Sequence, residues 1–399
     1  MAGVSSAAER SGTSRRYPDR GPAVVPGRPL PPRRYGGAIP TAALLSFRLG
    51  GSDGVAVEAA KWRWALDALG FTTITVAGGG PVDVTLPGLA IGAHEPPTAA
   101  ELTGALTGAD LVVVENLCSL PLNEAAWAVA AATLAGRPAL LHHHDLPWQR
   151  ARFAGHGPPP DDDRWTHVTI NELSRRELAV RGIGATTVYN SFAVPGDGHG
   201  TPGRGRRRPV AGECLRTAMG VAADDIVVLQ PTRALARKNI GGGMAATARI
   251  GGTYWLLGPA EDGYGPELDR LVGSAPCPVV LGLPESDGAV GTAPDGSFGI
   301  DDAYAACDVV ALPSTWEGFG NPSLESVIHR RPLLIGPYPV ARELAGFGFD
   351  WFGLHDVERL RAWVDDPDPA LWERNLSVAR ARFSLDDLPA RIEAVLPPY

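Results

Sequence analysis

The sequence predicts an α/β fold built from two Rossmann-like, doubly wound parallel-sheet domains with a cleft between them. Short apolar runs of strand length alternate with stretches of helix length, which is the pattern of parallel strands joined by helical crossovers. The alternation stops in a segment dense in Gly, Pro and Arg at 193–212 and then restarts. A chain of 399 residues has room for two such domains. We therefore expect a ligand site between them, at the carboxyl ends of the strands.

The first half is predicted to start with a strand, a Gly-rich turn and a helix from about Val55 to Leu69. A second helix is predicted near Glu124–Leu134, because it lies between two apolar runs. The strands predicted in this half are Ala42–Phe47, Thr72–Val76, Leu111–Glu115, Ala139–His142, Val168–Ile170 and Thr186–Tyr189.

The second half repeats the alternation. Its predicted helices are Ile240–Ile250, Asp302–Ala306 and Asn321–His329, and the segment from Leu371 to Leu396 is expected to be helical. Its predicted strands are Ile226–Gln230, Thr253–Leu257, Pro278–Leu281, Val309–Leu312 and Leu333–Ile335. The resulting division is a tail at 1–38, an N-terminal domain at 39–195, a linker at 196–212, a C-terminal domain at 213–375, and a helix at 376–399 that could pack back on the N-terminal domain.

Composition excludes some classes of protein. A net charge of −8 argues against a whole-chain nucleic-acid binder, and no apolar run approaches the roughly 18 residues of a membrane span. The tail at 1–38 has seven arginines against Glu9 and Asp19. We expect it to be disordered, and either without function or in contact with an anionic membrane surface. The four cysteines lack zinc or redox spacing, which favours reduced thiols in a cytoplasmic protein.

Two carboxylates, Glu317 and Glu325, flank the sequence Gly318-Phe319-Gly320 after a predicted strand. Asn321 is a suitable N-cap and Pro322 suits the first helical position, so this loop is predicted to lead into a helix. Glycines let a ligand approach the backbone, and carboxylates can accept paired hydrogen bonds from vicinal hydroxyls. The alternative is that Glu317 only caps a loop and Glu325 is an ordinary first-turn residue.

A second loop carries Arg233 and Lys238 between the strand Ile226–Gln230 and a helix. A forked guanidinium and a compact ammonium at the carboxyl edge of a sheet suit a diphosphate. Only two of the 36 basic residues are lysines, Lys61 and Lys238, so each lysine is a candidate for a specific role. The alternative is a solvated basic loop.

Together these segments resemble glycosyltransferase family 4, the group 1 glycosyltransferases. The resemblance rests on Arg233-x4-Lys238 and Glu317-x7-Glu325, with matching flanks, in order between roughly Leu44 and Glu343. It implies a GT-B fold, with acceptor bound by the first domain and donor by the second. It also implies transfer of a hexosyl group from a nucleoside-diphosphate sugar to an acceptor hydroxyl, with retention of anomeric configuration and without metal or cofactor. The acceptor could be a small molecule, a glycan or a lipid-linked group.

The resemblance also implies roles for individual residues of the second half. Arg233 and Lys238 would hold the donor diphosphate, and Glu325 would bind the ribose. Glu317 and the backbone of Gly318, Phe319 and Gly320 would bind the transferred sugar, next to Asn321. The sequence departs from the family at Arg330, where Gly is usual at the end of a helix, so the geometry of this turn is open.

In the first half, the Gly-rich turn after the first strand resembles the family loop that lies against donor phosphate or acceptor. Gly51 is its donor-side candidate and Asp53 its acceptor-side candidate. The turn lacks the G-x-G-x-x-G spacing of a dinucleotide site. An ordinary flexible turn is the alternative.

A histidine run follows the strand Ala139–His142. In the family, a histidine immediately before an acidic residue reaches the donor sugar, which matches His144 before Asp145. His142 points the same way along an extended strand, so His142 and Asp145 are acceptor-side candidates. A metal site and a surface histidine run are the alternatives. The sequence shows no distant ligand set, so we expect no metal.

The expected catalytic residues are thus Arg233, Lys238, Glu317 and His144, with fixed cations stabilising the charge on the leaving diphosphate. Two other functions fit the same sequence. One is a nucleotide-sugar hydrolase or epimerase of this fold, and the other is a non-catalytic subunit that binds a partner. The presence of charged residues at the four motif positions argues against the non-catalytic subunit. These residues are Arg233, Lys238, Glu317 and Glu325.

Overall fold

The structure is a computed structural model of the chain, and it describes residues 39–51, 53–195, 210–284 and 298–397. The predicted tail at 1–38 and most of the predicted linker, residues 196–209, lie outside the described residues.

The first domain is a seven-stranded sheet in which every pairing is parallel, with the order β3-β2-β1-β4-β5-β6-β7. Its strands are β1 (Thr41–Ser46), β2 (Thr72–Ala77), β3 (Val84–Thr85), β4 (Leu111–Glu115), β5 (Ala139–His143), β6 (Trp165–Thr169) and β7 (Ala185–Thr187). Its helices are α1 (Gly54–Ala68), α2 (Ala99–Ala105), α3 (Glu124–Leu134) and α4 (Glu172–Ala179).

The second domain is a six-stranded parallel sheet with the order β10-β9-β8-β11-β12-β13. Its strands are β8 (Val227–Gln230), β9 (Thr253–Leu256), β10 (Val279–Leu281), β11 (Val309–Leu312), β12 (Leu333–Ile335) and β13 (Phe352–Gly353). Its helices are α5 (Val210–Ala218), α6 (Ile240–Ile250), α7 (Gly265–Gly273), α8 (Ile300–Ala306), α9 (Pro322–Ile328), α10 (Pro339–Ala345) and α11 (Val357–Asp365). The chain ends in α12 (Pro369–Phe383) and α13 (Leu388–Glu393).

Both faces of each sheet are covered by helices, which explains the continuous apolar runs. Along β1, Leu44 belongs to one core cluster and Leu45 to another on the opposite face. Along β8, Leu229 and Val228 are divided in the same way. Because successive strand residues point to opposite faces, a strand buried on both faces has no polar alternation.

The chain crosses back to the first domain after α12. Phe383 contributes to the second core, and its carbonyl accepts a 2.7 Å hydrogen bond from the Phe192 amide. Leu385 then donates to the Phe192 carbonyl at 2.8 Å, and Leu388 and Ile392 join the first-domain core beside α1. The last helix therefore stabilises the arrangement of the two domains.

The α/β, two-sheet prediction is confirmed. Every strand predicted from the sequence is present, with ends that shift by at most three residues, and Leu111–Glu115 and Leu333–Ile335 coincide with the predicted ranges. The two-residue strands β3 and β13 were not predicted, and α5 begins at Val210, inside the predicted linker. In the described ranges, none of the helices has the length and hydropathy to cross a bilayer. The four cysteines form no disulfide.

Arg330 lies in the turn after α9, whose geometry could not be predicted because Gly is usual at this position. Its φ is +51°, in the left-handed region. The Arg330 amide donates to the Val327 carbonyl at 3.0 Å and the Arg331 amide to the Ser326 carbonyl at 2.8 Å. This is the Schellman pattern that normally places Gly at the left-handed position, and it forms here with Arg in that position.

Arg330→Gly is expected to give a protein about 1 kcal/mol more stable than Arg330→Ala, because a left-handed residue with a Cβ costs roughly 1–2 kcal/mol. Both variants lose the guanidinium, so their difference isolates the backbone conformation. Urea unfolding of the two variants measures it. An Arg330→Ala protein as stable as Arg330→Gly would contradict the prediction.

Candidate functional site

The second-domain candidates lie on two loops that flank the point where the strand order reverses. β8 leads to a short 3₁₀ turn, Ala236–Lys238, and β11 leads to the loop with Glu317. Since β8 and β11 are neighbours whose crossovers run to opposite sides, their carboxyl ends open a crevice. Residues 79 positions apart, Lys238 and Glu317, meet there, with Lys238 Nζ 2.5 Å from Glu317 Oε1.

Glu317 is the centre of a buried charge cluster. Its Oε2 accepts from an Arg237 guanidinium nitrogen at 3.0 Å, and its Oε1 accepts from Ser314 Oγ at 2.5 Å. Glu317 is 6% exposed and Lys238 8% exposed. Burial alone would raise the pKa of Glu317, but Lys238 and Arg237 more than offset it and the pKa is lowered. Burial also lowers the pKa of Lys238, and Glu317 opposes that shift.

Arg233 lies on the same loop as Lys238, and its charge is among those that lower the lysine pKa. Its guanidinium forms an ion pair with Glu261, and both side chains are more than one-third exposed. The loop itself is braced by Asn239, which adopts a left-handed φ of +50° and donates to the Pro313 carbonyl at 3.1 Å. The structure thus brings the two predicted cations to one place on a rigid support.

Gly318 is the point at which the two domains meet. A Cβ on this residue would lie 2.6 Å from the His144 carbonyl oxygen and 3.4 Å from Asp145 Oδ1. The Gly318 carbonyl accepts from Asn171 Nδ2 at 2.6 Å. Because a larger side chain would strike backbone of the first domain, Gly at this position permits the close approach. Gly320 is also constrained, with φ +92° and a Cβ position 2.2 Å from the Tyr338 hydroxyl.

One prediction on this loop, the N-cap role of Asn321, was wrong in detail. Asn321 has helical dihedrals and makes no capping hydrogen bond. Its Oδ1 instead accepts from Asn190 Nδ2 of the first domain at 2.9 Å. The Phe319 side chain is 2% exposed and packs against the rings of Phe192 and Phe383. This burial of the ring leaves the prediction for Phe319 unchanged, because the predicted donor contact was through its backbone.

Glu325 projects from the first turn of α9, as predicted. Tyr304 donates its hydroxyl to Glu325 Oε2 at 2.5 Å, and the tyrosine ring stacks on His329 with 4.5 Å between centroids. Burial raises the pKa of Glu325, and Tyr304 and Lys61 only partly offset it. Tyr304 therefore fixes the orientation of this carboxylate.

The first domain contributes His142 and His144 from the end of β5. Both point to Glu115, the last residue of β4 and the register partner of His142. Glu115 Oε2 lies 2.8 Å from His142 Nδ1 and 2.9 Å from His144 Nε2. One ligand atom from each of these buried side chains lies within 4.8 Å of the others, so the set could also hold an ion. The sequence analysis assigned no role to Glu115. The signal that could have found it is a charged residue at the end of the apolar run Leu111–Val114.

The other first-domain candidates are engaged with protein groups. Asp53 caps α1 by accepting from Val55 and Ala56 amides at 3.2 Å, and its other oxygen accepts from Arg48 at 3.1 Å. Asp145 accepts from Arg150 at 2.7 Å and faces the second domain at Gly318. Gly51 is exposed in the turn before α1.

Glu58 and Lys61 of α1 form a buried ion pair that the sequence analysis assigned to no site. Lys61 Nζ is 2.5 Å from Glu58 Oε1 and 4.3 Å from the centre of the Phe192 ring. Charges on both residues influence the pKa of Glu325 in the other domain. Because lysine is rare in this sequence, Lys61 was a candidate for a specific role. The fold shows that it lies close to the contact between the two domains.

Comparisons with known proteins give the same architecture. No protein-family model matches the chain. Mannosylglucosylglycerate synthase of Petrotoga mobilis is 24% identical, over 77% of this chain and 85% of the relative. The Thermotoga maritima enzyme of that name is 25% identical, over 87% and 97%. The crystal structure of Anabaena HepE in complex with UDP-glucose superposes with a TM-score of 0.63 at 19% identity, covering 89% of this chain and 99% of that one. This chain has the GT-B fold. The predicted architecture is therefore confirmed.

Proposed function

We propose that the chain is a retaining, family 4-like glycosyltransferase that moves a hexosyl group from a nucleoside-diphosphate sugar to an acceptor hydroxyl without a metal. The observation that carries the proposal is the buried contact between Lys238 and Glu317 at the reversal point of the second sheet, on the loop that also carries Arg233. The backbone of His144 from the first domain lies against the same loop at Gly318. Three segments that are far apart in sequence thus lie next to one another.

The chemistry follows from the charges. Transfer breaks the bond between the anomeric carbon and a diphosphate, which gains negative charge as it leaves, so preorganised cations lower the barrier. Lys238 is buried and bonded to Glu317, whereas the Arg233 side chain is 38% exposed and pairs with Glu261. An exposed ion pair is weak, so Arg233 can turn to a diphosphate at small cost.

The hydrogen bonds of Glu317 favour a retaining route that does not use this carboxylate as a nucleophile. Both of its oxygens accept hydrogen bonds from Lys238, Arg237 or Ser314, which suits a carboxylate that positions sugar rather than one that attacks carbon. Delivery of the acceptor hydroxyl on the face of the leaving group, with a phosphate oxygen taking its proton, needs no carboxylate nucleophile.

We also propose a cytoplasmic location, which the absence of a disulfide among the four cysteines supports. For the donor, the sequence motifs fit both uridine and guanosine diphosphate sugars. The relatives are mannosylglucosylglycerate synthases, and the HepE crystal contains UDP-glucose. Donor sugars to be tested therefore include mannose and glucose on both guanosine and uridine diphosphate, with glucosylglycerate among the acceptors.

A thermal-shift screen against these nucleotides, with EDTA present, is expected to show one diphosphate that stabilises the wild type. A ligand at 100 times its Kd stabilises by about 2.7 kcal/mol. Donor turnover is then measured with and without acceptors. Acceptor-dependent turnover supports transfer, turnover without acceptor indicates a hydrolase or epimerase, and no binding with EDTA or magnesium would leave the non-catalytic subunit as the better function.

A further inference from the structure

The buried Glu115 carboxylate lies between two imidazoles at the carboxyl edge of the first sheet. Glu115 and His142 have no exposed surface, and His144 is 5% exposed. Since a carboxylate only accepts hydrogen bonds, each ring must donate to it, His142 through Nδ1 and His144 through Nε2. In neutral His144, Nδ1 is then the nitrogen that carries the lone pair, so Glu115 selects one tautomer.

Burying Glu115, His142 and His144 together is expected to cost folding free energy. Burying ionisable groups is unfavourable compared with an apolar core, and Glu115 Oε1 and His142 Nε2 are buried without a hydrogen-bond partner in the described residues. These buried groups lie next to the second domain, because the His144 carbonyl lies against Gly318 of the loop that carries Glu317. The backbone of His144 is held there too, by the Asn116 side chain at 3.1 Å.

We propose that Glu115 is a positioning residue, which fixes the ring orientation and tautomer of His144 toward the transferred sugar. The proposal rests on the proposed function. The charged and titratable groups around His144 are Glu115 from β4, His142 from β5, Glu58 from α1 and the adjacent Asp145. Burial lowers the pKa of His144, but Glu115, Glu58 and Asp145 outweigh it and the pKa is raised.

The opposite face of β5 offers a matched control. There His143 bonds to His167 at 2.9 Å, and His167 Nε2 bonds to Asp161 Oδ1 at 3.0 Å. This is also a carboxylate–imidazole contact of the first domain, but it points away from the Glu115 side of the strand. Asp161→Asn therefore removes the same type of interaction from outside the site.

The test compares Glu115→Gln, which keeps the shape and removes the charge, with Asp161→Asn. NMR titration of the imidazole nitrogens, in protein without substrate, is expected to show a lower His144 pKa and a changed tautomer only in Glu115→Gln. In the transfer assay, Glu115→Gln is expected to lower kcat by about tenfold to a hundredfold, the scale for losing a carboxylate that orients a functional histidine. The limb of the pH profile set by His144 moves to lower pH, and the donor KM changes little.

An unchanged His144 titration in Glu115→Gln would overturn the positioning role, whatever the transfer assay gives. A pH profile shifted equally by Asp161→Asn would also overturn it. Stoichiometric metal in the wild type that Glu115→Gln loses would mean that ligation, rather than hydrogen bonding, organises the rings. A wild type that turns over no donor is a separate failure, that of the proposed function, and the titration distinguishes the two.

Discussion

Lys238→Ala is expected to lower kcat by about 10²–10³-fold, the effect of losing one preorganised charge donor. Lys238 is 8% exposed and its ammonium is held by Glu317, so its position needs little reorganisation when charge develops on the leaving diphosphate. Lys238 is also expected to contact the diphosphate of the bound donor before reaction. Lys238→Ala should therefore raise the donor KM as well. Steady-state transfer with the donor identified by the binding screen measures both.

The control for this prediction is Arg270→Ala. Arg270 is a cation of the same domain, but its side chain is 63% exposed on α7 and pairs with Glu267. Its removal should leave transfer unchanged. Folding of Lys238→Ala is checked by its thermal midpoint, since Glu317 retains Arg237 and Ser314 as partners. Wild-type turnover in a folded Lys238→Ala protein would refute the role given to this lysine.

Most of the strands could be predicted because burial on both faces gives them short apolar runs, as in β1, β4 and β11. Two-residue strands such as Val84–Thr85 and Phe352–Gly353 have no pattern to detect, since their neighbours in the sheet define them. The Gly-, Pro- and Arg-rich composition around Val210 concealed the start of a helix for a related reason. Local composition was informative only where packing and propensity agreed.

The site could be predicted where a motif carries the chemistry within one loop, as at Lys238 and Glu317. The errors lie where a long-range contact decides the geometry. Asn321 has the residue type of an N-cap, but a partner 131 positions earlier takes its side chain. Glu115 is similar, because only the pairing of β4 with β5 places it beside two histidines. A charge at the end of an apolar run marks Glu115 as unusual, but neither residue's partner can be read from the local sequence.

Glu317→Ala is expected to destabilise the fold by about 3–5 kcal/mol, whereas Lys238→Ala should cost much less. The asymmetry follows from the partners that remain. Removing Glu317 leaves Lys238, Arg237 and the Ser314 hydroxyl without their common acceptor, and Lys238 is too buried for water to replace it. Removing Lys238 leaves the carboxylate bonded to the other two. Urea unfolding of both variants beside wild type measures the difference.

The stabilisation contributed by Glu317 is expected to depend on pH. Because the pKa of Glu317 is lowered from its ordinary 4.5, its stabilisation is fully present above that pH and is lost as pH falls through the lower folded value. The difference in free energy of unfolding between wild type and Glu317→Ala should therefore decrease on acidification. Glu261→Ala breaks the exposed pair with Arg233 and should cost at most about 1 kcal/mol. Equal losses in Glu317→Ala and Glu261→Ala would show that burial of the Lys238 cluster does not govern its energy.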